Sequence, residues 1–266
     1  MILCIYHKNC MDGFTGAWVV RKAFGDNVEF YPGVYQVDPP DVTGRDVIFV
    51  DFSYKRPIME KILKDAASVV VLDHHRSAIL DLDGLPFTDS LFDLDRSGAM
   101  LAWNFYFPGE TPPEFISYVQ DRDLWQWKLP NSKEVSAGMF TYPYDFNSWD
   151  WFSDPDSIPT LIHEGSAVYR KQMKDIEELI QSNKRSMVIG GVTVPVANIP
   201  YLMASEACNI MAKGVEFAAC YSDTTHGRTF SLRSAEDGMD VSEIAKKYGG
   251  GGHFHAAGFM VPIGWE

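Results

Sequence analysis

The stretch Ser68-Val69-Val70-Val71-Leu72-Asp73-His74-His75 carries the strongest fold signal in the chain. A continuous β-branched run with no polar alternation predicts a strand buried on both faces, the situation of a strand inside a parallel sheet. It stops abruptly on an acid and two imidazoles. Moving toward the N-terminus, Asp46–Val50 (DVIFV) repeats the pattern and stops at Asp51, and Ile2–Tyr6 stops at a polar segment from His7 to Asp12. Helical spacing fills the gaps. Phe14, Ala17, Trp18 and Arg21 line one side of a predicted helix over 13–24, and another is predicted over 56–66. Alternating strands and helices predict an α/β domain whose mainly parallel sheet is flanked by helices. In such sheets ligands collect outside the carboxyl ends of the strands. Three polar strand ends should therefore converge on one crevice.

Toward the C-terminus, helices are predicted over 97–107 and 113–120, the second running into Asp121-Arg122-Asp123. An aromatic-rich stretch follows, with Trp125, Trp127, Phe140, Tyr142, Tyr144, Phe146, Trp149, Trp151 and Phe152. Turn chemistry at Asp154–Pro159 (DPDSIP) marks a domain boundary. The predicted organisation is a first domain over 1–155, a connector helix over 156–186 and a smaller α+β domain over 187–266, with the active site in the interdomain cleft. In the last domain a strand (192–197), a helix (201–213) and a hairpin turning at His226-Gly227 are predicted. A short helix over 241–248, the run Gly249–Gly252 and a final strand near 257–261 complete it.

Composition narrows the function classes. The chain of 266 residues holds 23 basic and 36 acidic side chains, a net charge of -13. Proteins that track a long polyanion neutralise its phosphates with a basic surface. A long nucleic acid is therefore a poor candidate partner, and a small ligand or acids neutralised by cations a good one. No apolar run approaches the ~20 residues that span a bilayer. The start, Met1-Ile2-Leu3-Cys4-Ile5-Tyr6-His7, has no basic segment before its apolar run, which points to a first strand and a cytoplasmic location. The four cysteines (Cys4, Cys10, Cys208, Cys220) form no CxxC pair, consistent with reduced thiols.

His7, Asp12, Asp51, Asp73, His74 and Asp121 mix imidazole with carboxylate, the donor set of Mn²⁺, Mg²⁺ or a related divalent ion. Any single aspartate at a strand end is more often a helix cap or turn former. Five or six such residues on successive strands make that reading improbable for the set. Carboxylates gathered in one crevice repel one another unless cations fill it, and two ions roughly 3.5–4 Å apart suit an in-line displacement at phosphorus.

At this point a resemblance emerges. Asp73-His74-His75 after its hydrophobic strand resembles the signature of the DHH phosphoesterases, and Gly249-Gly250-Gly251-Gly252-His253 with Ala256-Ala257-Gly258-Phe259 resembles the glycine-rich signature of their DHH-associated C-terminal domain. His7…Asp12-Gly13, Val50-Asp51, Asp121-Arg122-Asp123-Leu124-Trp125 and Leu232-Arg233-Ser234 follow in the family's order, so the likeness runs from His7 to Phe259. The family includes nano-RNases, cyclic-dinucleotide phosphodiesterases, single-strand exonucleases and type II inorganic pyrophosphatases. The resemblance implies one or two divalent ions, manganese first and magnesium or cobalt next. It implies Asp12, Asp51, His74 and Asp121 as ligands of one ion, His7 and Asp51 as ligands of the second, and Asp51 as the bridge. Asp73 would orient an imidazole and His75 would face the substrate phosphate, making these two the catalytic pair. Arg233, His253 and the amides of Gly251 and Gly252 would bind substrate, glycine letting backbone N–H groups approach an anion closely.

One position departs from the family pattern. Where the first motif usually reads Asp-x-Asp-Gly, this chain has Cys10-Met11-Asp12-Gly13. Cys10 is either a metal ligand that shifts preference toward softer ions or a neighbour of the site. The aromatic stretch has two readings as well: core or a homodimer interface, which burial preference favours, or base stacking. The expected activity is hydrolysis of linear di- or very short oligoribonucleotides to mononucleotides; the chain ends soon after the glycine motif, without an added nucleic-acid-binding domain. The alternatives are a cyclic-dinucleotide phosphodiesterase, a 3′-phosphonucleotide phosphatase, and a nucleotide-binding sensor that has lost turnover.

Overall fold

A computed structural model describes residues 2–35 and 37–265. The chain divides into two units, residues 1–169 and 170–266.

The first unit contains β1 (Ile2–His7), α1 (Met11–Phe24), β2 (Val28–Gly33), β3 (Asp46–Val50), α2 (Arg56–Asp65), β4 (Ser68–Asp73), α3 (Arg76–Leu82) and β5 (Asp89–Phe92). Helices α4 (Gly98–Tyr106), α5 (Glu114–Asp123), α6 (Ser132–Met139) and α7 (Phe146–Phe152) follow, then the start of α8 (Ser157–Asn183). The sheet order is β2-β1-β3-β4-β5 and every pairing is parallel. The apolar runs form the three central strands, as full burial requires. Strands β2 and β5 lie at the edges with half-exposed residues, so no buried run announces them in the sequence.

Each face of this sheet has its own core. Helices α1 and α4–α7 bury Phe14, Trp18, Leu101, Phe115 and Trp149 on one side. Helices α2 and α3 bury Met59, Ile62, Ala78 and Leu82 against Leu3, Ile5, Phe49 and Val71 on the other. The chain leaves β1 toward β2 on one side and returns to β3 on the other. The carboxyl ends of β1 and β3 thus form a topological switch point, where open α/β sheets bind ligands.

The second unit contains the rest of α8, β6 (Arg185–Ile189), β7 (Val192–Asn198), α9 (Tyr201–Met211), β8 (Ala218–Thr224), β9 (Gly227–Arg233), α10 (Val241–Lys246), β10 (Gly251–His253) and β11 (Ala256–Val261). Its sheet order is β10-β11-β9-β8-β7-β6, antiparallel except for β7 with β8. The expected connector is the single helix α8, and the division between units falls inside it at 169/170 and not at the 154–159 turn. Part of the glycine run pairs as β10 at the sheet edge. Among the described residues no helix is long and apolar enough to cross a membrane.

Candidate metal centre

The centre grows from the ends of β1, β3 and β4 in the first unit. Asp12 sits in the first turn of α1 and is 1 % exposed. Its Oδ2 accepts the Gly98 N–H (2.6 Å) and its Oδ1 the Ala99 N–H (3.0 Å), so the N-terminus of α4 holds the carboxylate from behind. Gly98 is required for this approach, because a Cβ there would lie 2.6 Å from the Asp51 Cβ. Asp51 follows β3 with φ +54°, a left-handed conformation uncommon outside glycine. Its amide donates to Leu72 O at 2.9 Å, so the bend is tied to β4. Strain of this kind persists where the surroundings over-determine it and concentrates at functional sites.

His74, just past β4, collects the acids. Its Nε2 lies 3.2 Å from Asp51 Oδ1, 3.4 Å from Asp123 Oδ2 and 3.9 Å from Asp12 Oδ2. On the other side of Asp51, His7 Nδ1 is 3.5 Å from Oδ2. Two donor triads result, each with its atoms within 4.8 Å of one another: Asp12, Asp51 and His74, and His7, Asp51 and His75. Asp51 belongs to both.

The charges explain one another. Burial alone would depress the His74 imidazolium, but its hydrogen bond to Asp51 and the charges of Asp123, Asp51 and Asp12 push its pKa up to about 10. Burial and the neighbouring charges of Asp123 and Asp51 hold the Asp12 carboxyl well above the usual carboxylate range. Burial raises the Asp123 carboxyl too, only partly offset by His74. For Asp51 the order is reversed: burial opposes ionisation, yet interactions with His7, His74 and His75 hold its pKa well below the ordinary value.

Asp73 has a different task. It is fully buried, and its Oδ1 accepts the backbone N–H of His74 (2.8 Å) and of His75 (3.1 Å) and bonds His75 Nδ1 at 2.7 Å. Its Oδ2 accepts the Ser53 hydroxyl at 3.0 Å. Asp73 thereby fixes the turn after β4 and the ring of His75. Burial opposes protonation of His75, but the Asp73 charge and hydrogen bond raise its pKa.

The expected ligand Asp121 is not at the centre. Its Oδ1 accepts the Lys128 N–H (2.8 Å) and its Oδ2 the Leu129 N–H (3.2 Å), so both oxygens serve the following loop. The carboxylate of this segment that reaches His74 is Asp123, two residues on. Residues two apart near a helix end are turned about 200° from each other, so only one of the two can face the sheet. The spacing signals that choice without making it. Gly98 has no signal in the sequence, because its need arises from a contact with residues far away in the chain. Cys10 is half-buried beside the acids; burial, then the charges of Asp51, Asp123 and Asp12, push its thiol up. No donor triad among the described residues includes it.

The residues present fit a divalent cation. Asp51 Oδ2 and Asp123 Oδ2 are buried and accept no hydrogen bond from the described residues. Buried oxygens of this kind require a partner, and carboxylates around imidazoles match a hard or borderline divalent ion.

The second unit holds the other expected residues. Arg233 ends β9; its Nη2 donates to Ser205 Oγ on α9 (2.8 Å) and its Nη1 to Leu232 O (2.8 Å). Gly251 and His253 lie on β10 opposite Gly258 and Ala256. Gly252, between them, has φ +144°, and a Cβ on it would sit 2.4 Å from Ala256 O, so the strand pairing itself requires glycine. A Cβ on Gly251 would meet nothing within 4 Å.

No protein-family model matches the chain. It is 29% identical over 282 residues to an uncharacterised protein, R106, of Acanthamoeba polyphaga mimivirus, an alignment covering 96% of this chain and 66% of that one. It is 25% identical over 292 residues to the oligoribonuclease NrnB of Bacillus subtilis, covering 97% of this chain and 72% of the relative. The chain thus spans about two thirds of the length of these relatives. Among solved structures, the pGpG-specific phosphodiesterase PggH of Vibrio cholerae is 17% identical with a TM-score of 0.51, covering 98% of this chain and 93% of that one. RecJ from Thermus thermophilus, in complex with Mn²⁺, is 14% identical with a TM-score of 0.57, covering 98% of this chain and 49% of that one. At these identities the two structures speak for the fold, which they share along nearly the whole chain. The ordered motifs from His7 to Phe259 resemble those of the DHH phosphoesterases, and both the likeness to an oligoribonuclease and the shared fold agree with that resemblance.

Proposed function

We propose that the protein is a metal-dependent phosphodiesterase that hydrolyses linear di- or very short oligoribonucleotides to mononucleotides. The observation that carries this reading is the pair of donor triads sharing Asp51. Asp12, Asp51, His74 and Asp123 would hold one divalent ion, and His7 with Asp51 a second; manganese is the first choice. Bound there, the ions would polarise the phosphoryl oxygens and activate a water for in-line attack. The chain's own residues prepare the rest. Asp73 holds His75 at Nδ1, which would orient the ring toward the scissile phosphate. The α4 N-terminus and the Asp51 bend keep the acids in place before any ion arrives, which limits reorganisation during the reaction.

Arg233, His253 and the amides of Gly251 and Gly252 would recognise a phosphate of the substrate. The oligoribonuclease activity named for the Bacillus relative supports this substrate class, as does the net charge of -13, which disfavours a long polyanion. The deciding experiment is incubation with labelled di- to decaribonucleotides, a cyclic dinucleotide and a 3′-phosphonucleotide, with and without Mn²⁺. Metal-dependent cleavage fastest for di- and trinucleotides is expected. Equal or faster cleavage of the decamer would overturn the short-substrate reading, and metal-independent cleavage the metal reading.

A further inference from the structure

The aromatic stretch sorts into two kinds of side chain. Trp149 and Phe152 are core, and Tyr142, Tyr144, Phe146 and Trp151 pack against that core. Phe140 is exposed beneath the Arg122 guanidinium, and Trp125 and Trp127 likewise join none of the four hydrophobic clusters among the described residues. Their rings meet each other edge to face, 5.0 Å apart, and both remain half-buried. Both also have left-handed backbone, φ +56° and +54°. Bulky residues adopt that conformation only when something imposes it.

Here the imposing group is Asp121. Its carbonyl accepts the Gln126 N–H (2.8 Å) and the Trp127 N–H (3.4 Å), and its carboxylate accepts those of Lys128 and Leu129. The Arg122 carbonyl takes the Trp125 N–H at 2.9 Å. A buried carboxylate and two strained residues are thus committed to a loop whose tryptophans return no core packing. That loop begins two residues after Asp123, whose carboxylate reaches the metal centre. Lys133 Nζ lies 5.6 Å over the Trp127 ring, adding a cation beside the pair. Two flat rings in mutual contact, on a backbone that Asp121 holds in place two and four residues after an acid of the metal centre, are suited to stacking a planar heterocycle.

We propose that Trp125 and Trp127 form a base-stacking platform for the nucleotide bound at the metal centre, with Asp121 as the residue that positions it. This rests on the nucleotide reading above and extends it to how a base is recognised. The probes are adenosine 5′-monophosphate and ribose 5-phosphate, which differ by the base alone, titrated calorimetrically into the full chain with Mn²⁺. The parent should hold the nucleotide about tenfold or more tighter than the sugar phosphate. Trp125→Ala with Trp127→Ala should reduce that preference to below about threefold, and the corresponding Phe variants should restore most of it. Should the alanine variant fail to fold, 5-fluorotryptophan-labelled parent gives a second reading. The Trp125 and Trp127 fluorine resonances, assigned with the Phe variants, should shift with the nucleotide and stay in place with the sugar phosphate. Equal affinity for the two compounds in the parent, an unchanged preference in folded alanine variants, or unmoved resonances would each overturn the platform. Hydrolysis enters none of these readouts, so failure of the phosphodiesterase reading remains separately visible.

Discussion

The strand-end centre of the first unit and the glycine-rich hairpin of the second solve opposite electrostatic problems. In the first unit, Asp12, Asp51 and Asp123 crowd the single nitrogen His74 Nε2, and two of their oxygens accept no hydrogen bond from the described residues. In the second, Arg233 is satisfied by a hydroxyl and a carbonyl, with no carboxylate hydrogen-bonded to it among the described residues. On the proposed function, one region would take in positive charge and the other would offer a positive charge to an anion. A buried anionic cluster is incomplete without its cation, whereas an arginine held by neutral groups is complete in the free protein. Substitutions should therefore act differently in the two places.

The hardest way to break the comparison is Asp51→Asn. Asparagine tolerates the left-handed backbone, so the fold should survive. Loss of the shared carboxylate should lower kcat/KM on a dinucleotide by about a thousandfold, some 4 kcal/mol of transition-state stabilisation. The thermal shift that Mn²⁺ gives the parent should vanish with it. A variant that keeps both would disprove the shared centre.

Asp123→Asn and Asp121→Asn separate the two acids. The first should weaken Mn²⁺ affinity by about a hundredfold, the scale of one lost charge-assisted contact in a buried site. The second should leave Mn²⁺ affinity within about threefold and lower Tm instead, because it weakens backbone bonds to a charged acceptor worth about 1.5–3 kcal/mol. Calorimetric metal titration and thermal melts on both proteins decide, and the reverse result would restore Asp121 as the ligand.

Arg233→Ala should cost roughly ten- to a hundredfold in kcat/KM while metal stoichiometry stays at the parent value. An altered stoichiometry would show that the two regions are not electrostatically independent. A milder effect is expected from pH in the metal-free protein. The folded pKa of His74, about 10, lies above the ordinary 6.5. Its contribution to stability is therefore full below pH ~6.5 and lost as pH rises through about 10. Asp12 and Asp123, with carboxyls held above their ordinary range, also lose stability as pH rises, from the ordinary carboxylate range up to their raised one. In chelator, Tm should fall by a few degrees between about pH 6.5 and 9.5, and His74→Gln should flatten that slope. Saturating Mn²⁺ should reverse it, since the metal displaces the proton. A flat profile for the parent would mean that His74 does not neutralise the cluster.

Much of this was written in local sequence. Strands β1, β3 and β4 are apolar runs because both faces of a central parallel strand are covered, and a run of that kind reads directly from the residues. The acids and imidazoles that end them made His7, Asp12, Asp51 and His74 candidates for one cluster, and the fold brings their donor atoms together in two triads that share Asp51. The edge strands β2 and β5 were silent, since an edge strand needs neither full burial nor alternation. The same limit governs the site. Asp121 and Asp123 carry the same chemistry two residues apart, and sequence cannot say which way α5 is turned against the sheet. Packing settles that rotation: Phe115, Ile116 and Val119 commit one side of α5 to the core, Asp121 is left to the loop, and Asp123 to His74. Sequence alone determined the kinds of groups and the strand ends from which they start, because those follow from local hydrophobic pattern. Only tertiary structure decided which acid meets which imidazole, why residue 98 must be glycine and which tryptophans stay out of the core, because each depends on contacts between segments far apart in the chain.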